Sequence, residues 1–165
     1  TCADFSHVNI NRNGSAVEQV INNPSQGLQE FYAQAFGVRA KVVIPGLNQF
    51  TENQLIHRAE IHLPIQFQLG SKYKPGSTVS FATKKTAVSQ GYINTGVLGV
   101  YSESKKEFSA DLKSYVQAVI NKDIENTGLI VSPRFFVNSA ERIIFNGPNT
   151  INKMRPKIII TYTDF

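Results

Sequence analysis

The stretch Ala59-Glu60-Ile61-His62-Leu63-Pro64-Ile65-Gln66-Phe67-Gln68-Leu69 decides the fold class. Ala59, Ile61, Leu63, Ile65, Phe67 and Leu69 fall on one side of an extended chain. Arg58, Glu60, His62, Pro64, Gln66 and Gln68 fall on the other. A helix would scatter the apolar set around its axis. A strand gathers it on one buried face and leaves the other face wet. Pro64 has no N–H to give to a ladder, so the pattern predicts an edge position or a bulge there.

Upstream, Phe36, Val38, Ala40, Val42 and Ile44 repeat the two-residue rhythm and predict a second strand, ended by Pro45-Gly46. Residues 47–53 then cross over, with room for one helical turn. The first 30 residues are rich in Asn and Gln; residues 22–27 read as a turn and residues 16–21 as a short helix. Downstream, residues 70–76 form a loop and residues 78–81 a short strand. Residues 83–96 read as a long surface loop or weak edge hairpin around an isolated Tyr92, and residues 97–101 as a strand. Leu112, Tyr115, Val116, Val119 and Ile120 make an apolar stripe at helical spacing. The one amphipathic helix is therefore placed over residues 111–121, with Ser109 or Asp111 as its cap. Strands over residues 128–131, 142–145 and 157–163 finish the chain. About eight strands against one helix predict a mostly β fold. Its expected form is a two-sheet antiparallel, jelly-roll-like sandwich in one domain spanning 1–165, with residues 1–35 a less certain extension.

The composition is that of a globular domain: 165 residues, 41% hydrophobic, with eleven Phe, six Tyr and no Trp. Seventeen Lys plus Arg against twelve Asp plus Glu give a formal charge of +5, which favours anionic partners. The basic residues come as short, scattered groups (Lys84-Lys85, Lys105-Lys106, and Lys153, Arg155 and Lys157). They read as solvated surface, and no nucleic-acid partner is expected. Cys2 is the only cysteine and cannot close an internal disulfide. It is a candidate lipid anchor, a bond to another segment, or a free thiol. No apolar run reaches the ~20 residues of a membrane-spanning helix.

Little in the sequence advertises catalysis. His57 and His62 are an odd number of residues apart and so point to opposite faces of a regular strand; His7 lies in the uncertain N-terminal part. No metal site is expected from them. Asp123, Glu125 and Asn126 offer oxygen ligands but lack the twelve-residue calcium loop, and read as a polar helix exit. A serine elbow, a phosphate-binding loop and a dinucleotide fingerprint are all absent. Residues 91–96 are bounded by glycines at the wrong spacing and have no lysine, so they read as a turn. Asn13-Gly14-Ser15 fits an N-glycan acceptor, a pattern frequent by chance. The expectation is a non-enzyme without cofactor. Aromatic residues near loops are the functional lead: Tyr32, Tyr92 and Tyr101 are the candidate ligand-binding residues, because such rings stack on sugars or anchor interfaces.

Several stretches resemble a known family: residues 37–47 around Val42-Val43-Ile44-Pro45-Gly46-Leu47, residues 56–63 with Arg58-Ala59-Glu60-Ile61, the helix Asp111-Leu112-Lys113-Ser114-Tyr115, and the terminal Arg155-Pro156-Lys157-Ile158-Ile159-Ile160-Thr161-Tyr162. Over roughly residues 35–165 the chain resembles the exported Bacteroidota lipoproteins of the domain-of-unknown-function family numbered 4270. The strand Gly128-Leu129-Ile130 and the terminal strand are also similar to the jelly-roll-like surface domain of the DNRLRE type. The resemblance implies an exported protein that is cell-surface, outer membrane-associated or periplasmic, and reaches the membrane only through a lipid anchor. It carries over no catalytic residue. The expected function is a binding or adhesion module with glycan as the candidate ligand. The alternative is a structural or docking module with an envelope protein as partner.

Overall fold

The computed structural model describes residues 10–66 and 75–165. Cys2, His7, the tail of the alternating stretch from Phe67 to Leu69, and most of the loop expected after it lie outside the described residues. Among the described residues nine strands occur: β1 Glu30–Gln34, β2 Ala40–Val42, β3 Gln54–Pro64, β4 Thr78–Thr83, β5 Ile93–Ser102, β6 Glu107–Asp111, β7 Leu129–Pro133, β8 Arg142–Asn146 and β9 Lys157–Asp164. Three short helices, α1 Ala16–Asn22, α2 Pro24–Gly27 and α3 Lys113–Ile120, and a 3-10 turn Pro45–Gln49 complete the described chain.

The strands divide unequally. Seven form one antiparallel sheet in the order β2-β7-β4-β5-β6-β3-β9, curled into a half barrel. The other two, β1 and β8, pair as a ribbon that packs against β7 and β3. The mostly β, antiparallel expectation holds. The jelly-roll partition into two comparable sheets is corrected to this seven-plus-two arrangement; the short helix expected over residues 16–21 is α1, the amphipathic helix is α3, and α2 is added where a turn was expected.

The decisive stretch behaves as its pattern requires. Ile56, Ala59, Ile61, Leu63 and Ile65 are all buried in the main core. A bulge between Ile56 and Arg58 turns Ile56 and Ala59 to the same side although they are three residues apart. Pro64 needs no edge strand, since β3 lies between β6 and β9. The Ile65 N–H donates to Lys106 O on the β6 side, so the ladder's alternation turns Pro64 nitrogen to the β9 side. That neighbour ends at Lys157, opposite His62, and leaves the proline past its reach.

The ribbon is two-faced. Ala33, Ile143 and Phe145 point into the main core, where Phe145 stacks on Phe31 at 4.9 Å and leans on Phe108 at 5.9 Å. Tyr32 points the other way and, with Val17 and Val38, forms a smaller core that Ile144 and Val20 of α1 complete. Ser15 caps α1 by accepting the Glu18 N–H, and Asn23 caps α2 by accepting that of Ser25. On α3, Tyr115, Val116, Val119 and Ile120 are buried as the stripe predicts. Its first N–H, that of Lys113, donates to the Asp111 carboxylate at 2.8 Å; Ser109 sits within β6 instead. The predicted strand over residues 36–44 shrinks to β2. Phe36 adopts φ +61, and the N–H groups of Ala35 and Phe36 donate to Glu141 O and Phe136 O, so the chain turns where alternation suggested it runs straight.

Candidate functional site

Three connections converge beside the β2-β7-β4 end of the sheet: the exit of β4, the segment between α3 and β7, and the end of β2. Thr83, the last residue of β4, buries its hydroxyl and donates to Gly128 O at 2.9 Å. Thr127 donates its hydroxyl to Lys84 O, and Glu125 N donates to Lys85 O. The Glu125 carboxylate accepts the Ala87 N–H at 2.6 Å. These bonds pin the start of the loop that carries Tyr92. Asn126 donates its amide to Ile44 O at 2.9 Å and to Asn48 Oδ1 at 3.1 Å, while its own Oδ1 is buried without a partner. Gly128 permits the close approach of β7 to β2. Its φ is +89, and a Cβ there would lie 2.9 Å from Val42 O. Gly128→Ala therefore strains both backbone and packing, with an expected cost of about 1–3 kcal/mol; a thermal melt checks it.

The result is an open groove of about 400 Å³ lined by Lys41, Lys84, Tyr92, Glu125, Asn126 and Thr127 among others. Tyr92 is 49% exposed, and the Lys84 ammonium stands 5.4 Å from its ring centroid, a cation–π contact. Lys41 shares the outward side of the sheet with Ile130, its cross-strand partner. One ring face, two ammonium groups and one carboxylate thus border a common space.

Of the three tyrosines proposed from sequence, only Tyr92 belongs to this groove. Tyr32 is corrected to a core residue. It is 5% exposed, its hydroxyl donates to Glu30 at 2.6 Å, and burial, reinforced by that carboxylate, pushes its pKa up to about 12. Tyr101 packs its ring against Phe108 at 5.2 Å beside the main core, and its hydroxyl is buried without a partner. Burial, then the Glu103 charge, raises its pKa. Sequence reading passed over Lys84 as solvated charge and Glu125 and Asn126 as a helix exit, and did not single out Lys41. The polar run after α3 and the Lys84-Lys85 doublet were the available signals, but nothing local tells that they meet.

A second polar cluster lies on β3 and β6. Buried His62 has Nδ1 2.9 Å from Glu107 Oε1, and its Nε2 lies 3.6 Å from Glu60 Oε1. Arg58, hydrogen-bonded to Glu60, holds that carboxyl below its usual range. His57 instead meets the Thr163 hydroxyl at 2.7 Å. Among the described residues no group of three or more His, Cys, Asp or Glu is placed to hold a metal ion, and no helix is long and apolar enough to cross a membrane.

No protein-family profile matches the chain, and neither does any curated protein or solved structure. The lipoprotein, outer-membrane and Bacteroidota features that came with the family resemblance are accordingly withdrawn: no match carries them, and the sheet arrangement departs from the jelly roll that accompanied them.

Proposed function

We propose that the chain is a non-enzymatic binding module whose groove beside Tyr92 takes carbohydrate. The observation that carries this reading is the half-exposed Tyr92 ring set among hydrogen-bonding groups in an open groove. A sugar presents C–H bonds on one face, which stack on a phenol ring, and hydroxyls around its rim. Here those hydroxyls would find the Glu125 carboxylate and the two lysines. Glycoside hydrolysis ordinarily needs two carboxyl groups flanking the bond. Glu125 is the one carboxyl group among the described groove-lining residues, and it is engaged by Ala87 N, which favours capture over turnover.

The test is a glycan array followed by calorimetry on the best oligosaccharide. Tyr92→Ala should weaken binding about tenfold or more, the effect of losing roughly 1.4 kcal/mol. The melting temperature should hardly move, because Tyr92 lies outside both cores. Unchanged affinity in this variant, or no glycan bound at all, would remove the reading. A second reading, a docking module of a larger assembly, is favoured by Leu98 and Val100. They stand exposed in a shallow cleft bordered by Arg58, Glu60 and Asp111.

A further inference from the structure

The two edges of the large sheet are built differently. β2 is three residues long, places Lys41 at its centre and runs into Pro45. Short length, a lysine and a nearby proline are devices that keep an edge from pairing. The opposite edge, β9, has eight residues, Lys157-Ile158-Ile159-Ile160-Thr161-Tyr162-Thr163-Asp164. It has no proline or charge between its ends, and Ile159 and Tyr162 stand 40% and 45% exposed. Among the described residues its only ladder partner is β3. Phe165 N donates to Asn53 O towards β3, so alternation turns the N–H and C=O groups of Ile158, Ile160 and Tyr162 outward.

We propose that two copies of the chain join through β9, antiparallel and edge to edge, into one continuous sheet. The strand is self-complementary about Ile160. In that register Ile160 faces its own copy and Ile158 faces Tyr162 on both sides of the two-fold axis. The outward amides and carbonyls of all three then find partners, about six hydrogen bonds in all. The same three side chains already belong to the sheet's inner row: Ile158 and Ile160 pack on the main core and Tyr162 meets Phe50 at 5.1 Å. The apolar row therefore continues across the junction. Lys157 lands opposite Thr163, and the two Lys157 residues stay about 20 Å apart along the strands, so like charges do not meet. Centring the pair on Ile159 would set Pro156, which has no N–H, against Tyr162. Centring it on Thr161 would set Asp164 against Ile158. The guarded β2 edge stops growth, so the assembly closes at two rather than extending into a fibre.

The experiment uses the full chain in sedimentation and light scattering across the micromolar range, where a dimer is expected. Ile160→Pro deletes an outward N–H and leaves the β3 ladder whole; it should melt cooperatively and be monomeric. In a Cys2→Ser background, Ile160→Cys should oxidise to a covalent dimer, because facing residues of a hydrogen-bonded pair lie about 5.5 Å apart, within disulfide reach. Thr163→Cys, about 20 Å from its own copy in this register, should not. The proposal is overturned by a monomeric parent chain at 100 μM, by a dimer that survives Ile160→Pro, or by cross-linking at position 163 as readily as at 160. Should Ile160→Pro fail to fold, the two cysteine variants decide.

Discussion

Leu63→Asp is expected to abolish cooperative folding. Leu63 is 1% exposed and lies across from Phe108 in the β3–β6 ladder, facing the main core. Removing the leucine forfeits about 1.5–3 kcal/mol of transfer free energy. The carboxylate that replaces it would be buried with no cation in the surrounding apolar cluster, a penalty of several kcal/mol more. A domain of this kind has roughly 5–15 kcal/mol in total, so the sum consumes most or all of it. Thermal denaturation followed by circular dichroism should show no cooperative transition. Gln66→Lys is the matched control. Gln66 is only partly buried, its N–H donates to Ile144 O, and its amide donates to Glu30 at 2.6 Å. A lysine ammonium reaches the same carboxylate, so its melt should stay within about 0.5 kcal/mol of the parent. Equal losses in the two variants would refute the assignment of inner and outer faces.

Phe145→Ala is expected to cost about 3–5 kcal/mol, the range for emptying a buried phenylalanine site. Phe145 has no exposed surface and touches Phe31 and Phe108; its backbone makes the bridge to Ile65 just past β3. It is the point where the ribbon is fastened to the sheet. The neighbours come from three separate segments of the chain, so the void cannot collapse easily. Urea unfolding should show a lowered midpoint with an unchanged slope. A change in slope would mean that the ribbon detaches separately. Phe31→Ala should cost less, since Phe31 is only partly buried.

What the sequence made legible follows from which faces meet water. β3, β4 and β9 each have one wetter side, so their rhythm shows. β1 was missed because the ribbon is buried on both faces: Phe31 and Ala33 go to one core and Tyr32 to the other, which erases alternation. β6 was missed because it has only Phe108 and Ala110 to show, and Asp111, serving the helix start, draws the eye to α3. The segment at Phe36 misled in the opposite sense: its alternation is real, but hydrogen bonds to the β7–β8 connection bend it into a turn. In the groove, Tyr92 was legible as an isolated loop aromatic. Its neighbours were not, since Lys41, Lys84 and Glu125 come from three distant segments and meet only through the ladders of β2, β7 and β4.

The order of the strands also sets the tempo of folding. In the large sheet only β4–β5 and β5–β6 join strands that are consecutive in the chain. β2 waits for β7, β1 waits for β8, and β3 completes its second ladder only with β9. Loop-closure entropy must therefore be overcome several times before these distant contacts repay it, which puts such topologies in the slow, millisecond-to-second class. A nascent copy emerging from the ribosome would carry β3 with one flank bare until β9 appeared.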